Sequence, residues 1–318
     1  MQILNHIPTL NDIRETHIAI APMIHRTPVL TCASIDAISG VTLFFKCENF
    51  QKVGAFKMRG ASNASLRLPE AARKNGIATH SSGNHAQAVA LSAKLLGIPA
   101  YVVMPENAPG IKVAGVRSYG GEVIFCASNI ASRESTLEEV VGRTGAYFIH
   151  PFNDYNIIAG QATAAKELIE DVPDLEAIIA PIGGGGLMSG TALVTRYLLP
   201  GAKVYGAEPK AVDDAWRSMQ SGKIEINLTT DTIADGLRTN LGEKTFDIIK
   251  NQVDDIFTVS EEAIVSAMRL VWERMKIIIE PSCAVPLAAV LTNPGAFAGK
   301  RVGMILSGGN VDLEELPF

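Results

Sequence analysis

Two kinds of hydrophobic spacing alternate along this chain. Short runs rich in β-branched and aromatic residues read as strands at 41–46, 77–80, 100–104, 122–125, 146–149, 177–180, 203–207, 256–259 and 301–306. Between them, apolar residues recur at helical spacing over 8–24 (opened by Thr9 and Asp12 as caps), the run after Lys57, 86–96, 112–119, 132–144, 156–169, 187–198 and 261–275. Strand followed by helix, repeated, predicts parallel sheet with right-handed crossovers. Residues 76–153 hold one such series to themselves, enough for a small open-sheet domain. At 318 residues the chain exceeds the usual size of a single core, so two domains are expected.

Composition narrows the class. With 47% hydrophobic and 19% charged residues and 28 glycines, the chain reads as a globular α/β enzyme with many glycine turns. A net charge of −5 argues against a nucleic-acid surface. Cys32, Cys47, Cys126 and Cys283 are far apart and form no CxxC pair, the pattern of buried thiols in a reducing compartment rather than of a disulfide framework or zinc site. The first residues show no basic segment leading into an apolar one, and no apolar run is long enough to span a membrane, so a cytoplasmic location is expected. No added regulatory domain is expected after Asn310.

Chemistry concentrates at a few strand ends and one turn. In Gly54-Ala55-Phe56-Lys57-Met58-Arg59-Gly60 a lysine sits behind an aromatic and opens a helix. Small residues let the backbone approach something flat. The positive helix end would lower the amine's pKa and prepare it to attack a carbonyl and form a Schiff base. Taken alone, such a lysine is more often a solvated surface group. The tetraglycine Gly183 to Gly186, between a strand and a helix, can converge its amides on an anion. Its spacing fails the GxGxxG fingerprint and lacks the GK[ST] of a P-loop, so dinucleotides and nucleoside triphosphates lose ground to another phosphate ligand. Ser81-Ser82-Gly83-Asn84-His85 opens a helix and suits a substrate carboxylate, though serine and asparagine there also serve as plain N-caps. Ser307-Gly308-Gly309-Asn310 offers a hydroxyl for a ring nitrogen, or simply a turn. A Schiff-base lysine, phosphate cradle, carboxylate site and ring-nitrogen partner together meet the needs of pyridoxal phosphate.

On these residues the sequence resembles the serine racemase and threonine dehydratase branch of the fold-type II pyridoxal-phosphate enzymes. The resemblance runs from Arg26 to Val311 through GAFKMRG, SSGNHAQA, HPFNDYNIIAGQ, PIGGGGLMSG, IADGL, VWERMKIIIEPS and SGGNVDL, in that order. It implies an α/β fold like the tryptophan synthase β chain, with two open, twisted, mostly parallel sheets and helices on both faces. It further implies a large cofactor domain, residues 1–75 and 154–318, with a small domain, 76–153, inserted into it, and a homodimer. By position, Lys57 would hold the cofactor, Phe56 would pack on its ring and Asn84 would bond the ring hydroxyl. Gly183, Gly184, Gly185, Gly186 and the Leu187 amide would hold the phosphate, and Ser307 would face the ring nitrogen. Lys57 would take the Cα proton as general base, and loss of the β-hydroxyl would give a keto acid and ammonia.

Further positions carry over in the same way. Ser82 stands where serine racemases return a proton to Cα from the opposite face; many plain dehydratases have alanine there. Ser81, Ser82, Asn84, His85, Arg133 and Thr239 would face the substrate, with His85 structural or a donor to backbone rather than a base. Arg133 leaves an acidic substrate such as threo-3-hydroxyaspartate open. Thr239 replaces a serine and Phe152 an asparagine of the animal serine racemases. Glu208, the Val212 carbonyl and Asp214 match a divalent-cation site for Mg²⁺, Ca²⁺ or Mn²⁺. On residue type alone, Asp213-Asp214 also reads as a solvated acidic turn. A nucleotide effector near Gln87, Lys112 and Tyr119 rests on analogy. The expected activity is dehydration of L-serine and L-threonine with serine racemisation. The alternatives are a 3-hydroxyaspartate ammonia-lyase, a β-replacement synthase, whose phosphate loop usually differs from a tetraglycine, and a non-catalytic ligand sensor, against which an intact Lys57 argues.

Overall fold

The computed structural model describes residues 2–81, 83–108 and 110–318. Its strands are β1 (Val29–Leu30), β2 (Thr42–Cys47), β3 (Ile77–His80), β4 (Ala100–Pro105), β5 (Glu122–Cys126), β6 (Tyr147–Phe148), β7 (Ala177–Pro181), β8 (Lys203–Pro209), β9 (Asp255–Val259) and β10 (Arg301–Leu306). The helices are α1 (Leu10–Ile20), α2 (Ala33–Ser39), α3 (Lys57–Arg67), α4 (Glu70–Arg73), α5 (Asn84–Leu96), α6 (Gly110–Ser118) and α7 (Ile130–Thr144). They continue with α8 (Tyr155–Asp171), α9 (Gly186–Leu198), α10 (Asp214–Ser221), α11 (Glu243–Gln252), α12 (Glu261–Met275), α13 (Pro281–Thr292) and α14 (Pro294–Phe297). Among the described residues no helix is long and apolar enough to cross a membrane.

Two sheets result. A six-stranded sheet has the order β1-β2-β10-β7-β8-β9, and a four-stranded sheet the order β5-β4-β3-β6. Every pairing is parallel except β1 with β2. The four-stranded sheet draws all its strands from residues 77–148. Helices cover both faces of each sheet. In the large one, Met268 and Val271 of α12 and Cys283 of α13 pack on one side, while α8 and α9 bring Ile158, Leu168 and Leu193 to the other. Central strands buried on both faces read as continuous apolar runs, which is why β7 and β10 were legible.

In open α/β sheets the crevice forms where neighbouring connections leave in opposite directions, at the carboxyl ends of the strands. Here β10 lies between β2 and β7. The Lys57 turn after β2, Ser307 after β10 and the tetraglycine after β7 therefore gather at one edge. In the smaller sheet β3 lies between β4 and β6, so Ser81, Gly83 to His85 and His150 to Asn153 flank the matching crevice.

Several boundaries differ from expectation, each for a local reason. The Thr9/Asp12 capping box is present and opens α1 at Leu10. Helix α5 starts at Asn84 rather than Ala86, and β4 runs through Pro105 instead of stopping before it. Strand β1, α2, α10, α11 and α13 were not foreseen. Helix α13 is apolar on all sides, buried from Ser282 to Val290 and carries Pro286 inside, so it shows no helical period.

Helix α3 lies against α8 with no side chain between them at the closest point. A Cβ on Gly160 would stand 2.5 Å from the Gly60 Cα and 2.6 Å from the Arg59 carbonyl oxygen. Only backbone relief could accommodate it, and overpacking of this kind costs roughly 1–3 kcal/mol or more. Gly160→Ala should therefore lower the unfolding free energy by about 2 kcal/mol or more in urea titrations. A loss below about 0.5 kcal/mol would mean that the helices separate freely.

Candidate active site

Lys57 is the first residue of α3, and α3 begins without a side-chain cap. The turn before it is pinned to the end of β10. Phe56 N donates to the Ser307 carbonyl at 3.0 Å, Ala55 bridges Gly308, and Gly309 N donates to the Gly54 carbonyl at 2.9 Å. Asn310 Nδ2 adds a bond to the Val53 carbonyl at 2.7 Å. Val53 itself takes φ 59°, a left-handed conformation costly for a β-branched side chain. The strap thus fixes where the lysine leaves the backbone. Its Nζ donates to the Pro151 carbonyl at 3.0 Å and stands 5.2 Å from the centroid of the Phe56 ring. Burial pulls the Lys57 amine down to about 8, against a smaller upward pull from the Glu280 carboxylate. The helix end foreseen as the cause is thus replaced by desolvation.

The tetraglycine follows β7 and runs into α9. Gly185 takes φ +86° as the helix N-cap. Among the described residues the amides of Gly183, Gly184, Gly185, Gly186 and Leu187 donate to no protein acceptor. Orphaned amides at the start of a helix fit a phosphate group. The Phe152 ring lies 2.3 Å from where a Gly184 Cβ would stand. Pro151 and Phe152 thereby join the lysine amine to this loop.

Asn84 heads α5 and is fully engaged. Its Nδ2 donates to both Glu280 carboxylate oxygens at 3.0 and 3.1 Å, and its Oδ1 accepts from Asn310 Nδ2 at 2.8 Å. Glu280 is 4% exposed, and burial pushes its carboxyl up to about 7, with Asp235 adding to the rise. Sequence reasoning gave Glu280 no role. The signal was a single carboxylate after Ile277-Ile278-Ile279 and before the proline of an apolar helix. Ser307 is buried at the end of β10.

Across the crevice, Ser81 Oγ accepts from Gly83 N at 3.3 Å. Ser82 lies outside the described residues. Buried His85 Nε2 donates to the Ile149 carbonyl at 3.2 Å, and burial with the nearby Lys57 charge keeps the ring neutral, in keeping with a structural role. His80 and Arg133 lie near one another, since the guanidinium charge helps burial lower the His80 pKa. His80 Nδ1 and Arg133 Nε are buried and find no partner among the described residues. Thr239 is exposed on the loop beyond Leu237.

Glu208, next to last in β8, lies near Asp214 at the start of α10, and each is 1% exposed. Glu208 Oε1 accepts from Trp216 N at 2.7 Å; Asp214 accepts from Asn227 Nδ2 at 2.8 Å and Leu241 N at 2.9 Å. Burial raises both carboxyls, Asp214 to about 6 and Glu208 well above its ordinary value. The solvated acidic turn is thus half right: Asp213 pairs with Arg217 at 2.6 Å, while Asp214 is buried. Val212 is buried in the short turn before them. Among the described residues no group of three or more His, Cys, Asp or Glu side chains is gathered to hold a metal. Among the described residues neither of these two buried carboxylates has an ion-pair partner, and hard oxygen donors of this kind suit a divalent cation.

A family model described as pyridoxal-phosphate dependent enzyme matches residues 20–308. The chain is 50% identical over 313 residues to a β-hydroxyaspartate dehydratase of Paracoccus denitrificans, covering 98% of this chain and 99% of that one. It is also 50% identical to a serine racemase of Oryza sativa subsp. indica, over 96% of this chain and 91% of the other. Among solved structures, a maize serine racemase superposes with a TM-score of 0.94 at 47% identity, over 97% of this chain and 95% of that one.

The lysine supplies a test of the site that needs no substrate. A neutral amine is the nucleophile, and with its pKa near 8 half of Lys57 is neutral at that pH, with saturation only above it. Capture of pyridoxal phosphate by the cofactor-free protein, followed by absorbance, should speed up with pH, pass its midpoint near 8 and level off above that. An ordinary exposed lysine would keep accelerating to about 10.4. Lys57→Ala should abolish the signal.

Proposed function

The chain belongs to the pyridoxal-phosphate dependent enzymes, and from that premise we propose that it is an ammonia-lyase and racemase of small β-hydroxy amino acids, L-serine and L-threonine foremost. The observation that carries this reading is the lysine amine held near pKa 8 and linked through Pro151 and Phe152 to five free amides. Lys57 would hold the cofactor covalently, beside Phe56, with Gly183 to Leu187 on its phosphate, Asn84 toward its ring hydroxyl and Ser307 toward its ring nitrogen. The two sheets would belong to a large domain, 1–75 and 154–318, and an inserted small domain, 76–153. When bound, pyridoxal phosphate supplies the electron sink for the pair left behind when Cα loses its proton.

The chain's own groups do the rest. Free backbone amides at the start of α5, that of Asn84 among them, bind the α-carboxylate together with Ser81. Lys57, whose burial enlarges the neutral fraction of its amine, removes the Cα proton. The β-hydroxyl leaves as water, and a water molecule then replaces nitrogen, giving a keto acid and ammonia. Racemisation needs instead a second group that returns a proton to Cα from the opposite face, and Ser82 is our candidate. A neutral serine opposite the ring nitrogen makes a shallower sink than a carboxylate, favouring prompt loss of the leaving group.

A second reading is favoured by one observation. His80 Nδ1 and Arg133 Nε are buried near each other and have no partner among the described residues, an arrangement suited to a second carboxylate. That supports threo-3-hydroxyaspartate as a substrate. The same proposal assigns a divalent cation, Mg²⁺ foremost, to Glu208, Asp214 and the Val212 carbonyl. It also includes a homodimer in the cytoplasm. A nucleotide effector beside Gln87, Lys112 and Tyr119 is its least supported element, because Lys112 is already paired with Asp235.

The test is to incubate the enzyme with L-serine and Mg²⁺ and quantify pyruvate and D-serine in one sample. Both products are expected, with Ser82→Ala abolishing D-serine while sparing much of the pyruvate. Neither product would remove serine as a substrate. With 3-hydroxyaspartate, oxaloacetate should form, and Arg133→Ala should raise KM for that substrate about tenfold, the loss of one charge-assisted contact. Serine turnover should change little. For the cation, Mg²⁺ should raise the Tm of the wild type and leave that of Asp214→Asn unmoved; equal shifts in both would reject the site.

A further inference from the structure

Behind the lysine lies a buried charge cluster that the chemistry above does not use. Arg59 is the largest fully buried side chain of the protein. Its Nε and one terminal nitrogen donate to the two Glu48 carboxylate oxygens, both at 2.7 Å. The terminal nitrogens donate to both Glu167 oxygens at 2.8 Å, and one also reaches Thr163 Oγ1 at 3.1 Å. Every N–H of the guanidinium is thereby used. Buried Lys46 pairs with Glu167 at 2.7 Å, which brings the cluster to two positive and two negative groups. Thr27 Oγ1 donates to Glu48. On the solvent side, His17 Nε2 donates to Glu167 at 3.0 Å, while its Nδ1 accepts from Lys166 at 3.1 Å.

We propose that Arg59 is the positioning residue for the Lys57 amine. The two residues stand two places apart on α3, so their side chains leave the helix about 200° apart. One enters the crevice as the other is driven into α8 and the segment after β2. The first turn of α3 has no side-chain cap to fix it. The strap onto β10 holds the turn before it, and the fork on Glu167 and Thr163 holds it against α8, whose leading segment carries Pro151 and the carbonyl that receives the lysine. Acceptor and amine are thus referenced to the same helix. A planar fork sets an angle as well as a distance, which a lysine ammonium in its place could not. Arg59 touches neither substrate nor cofactor and acts only through the backbone.

The inference rests on Lys57 being the working amine, and Lys57→Ala is the control for that premise. If that variant still turns over serine, the functional reading fails before this one is reached. Otherwise, Arg59→Lys keeps the charge and removes the fork. The full-length variant should bind pyridoxal phosphate stoichiometrically, with kcat for serine at least tenfold lower and KM within threefold. Its cofactor-capture midpoint should move from about 8 toward that of an exposed amine. A variant with kcat within threefold and an unmoved midpoint, melting at lower temperature only, would overturn the proposal. Should Arg59→Lys fail to fold, Thr163→Val decides, because it removes one neutral acceptor and leaves every charge paired. A severalfold lower kcat with an upward midpoint is expected there, and wild-type values for both would reject the assignment.

Discussion

The site depends on two helices meeting backbone to backbone. Gly60 of α3 and Gly160 of α8 leave no room for a single carbon between them. That contact brings α3 close enough for the Arg59 guanidinium to be shared between α8 and the segment after β2. From this crossing the rest of the crevice follows. The residues before α8 carry the lysine's acceptor and the aromatic ring on the tetraglycine, while the residues before α3 are strapped to the end of β10. Sheets supply the edges, and this helix pair sets the distances between them.

Buried charge in the molecule falls into two kinds. Around Arg59 every charge has an opposite within hydrogen-bonding distance, and the Glu167 carboxyl is held far below its ordinary value by His17, Arg59 and Lys46. Elsewhere burial wins. Lys57 is drawn down to about 8, Glu280 up to about 7 and Asp214 up to about 6. A buried group that is not neutralised by the protein stores a tendency to bind something that will neutralise it. The structural and the ligand-directed halves of the interior can therefore be told apart by charge alone.

Much of the architecture was legible because central parallel strands are uninterrupted apolar runs and most helices carry a clean period. The strands at 77–80 and 301–306 and the helix at 261–275 were read to the residue. Two of the elements that escaped had no local signal. Strand β1 is two residues long and exists only through β2, and α13 is apolar on every side and contains a proline. At the site, the lysine turn and tetraglycine announce themselves by composition. Desolvation does not, because it depends on what folds over a group, so the cause of the Lys57 shift was misread. Glu280 was passed over for the same reason, and Asp214 looked solvated because it was read as one pair with the half-buried Asp213.

The order of strands in the large sheet also carries a schedule. Strand β10 follows all the others in the sequence yet lies between β2 and β7. As the polypeptide emerges from a ribosome, β2 and β7 are made early and must wait, unpaired along their inner edges, until residues 301–306 arrive. The four-stranded sheet faces no such delay, since its strands come from one continuous stretch. Insertion of a central strand closes the longest loops in the molecule and is the slow, aggregation-exposed step of assembly. It is also the step that delivers Ser307 and the strap on the lysine turn. The nascent chain therefore has no finished crevice to load until its last strand is in place.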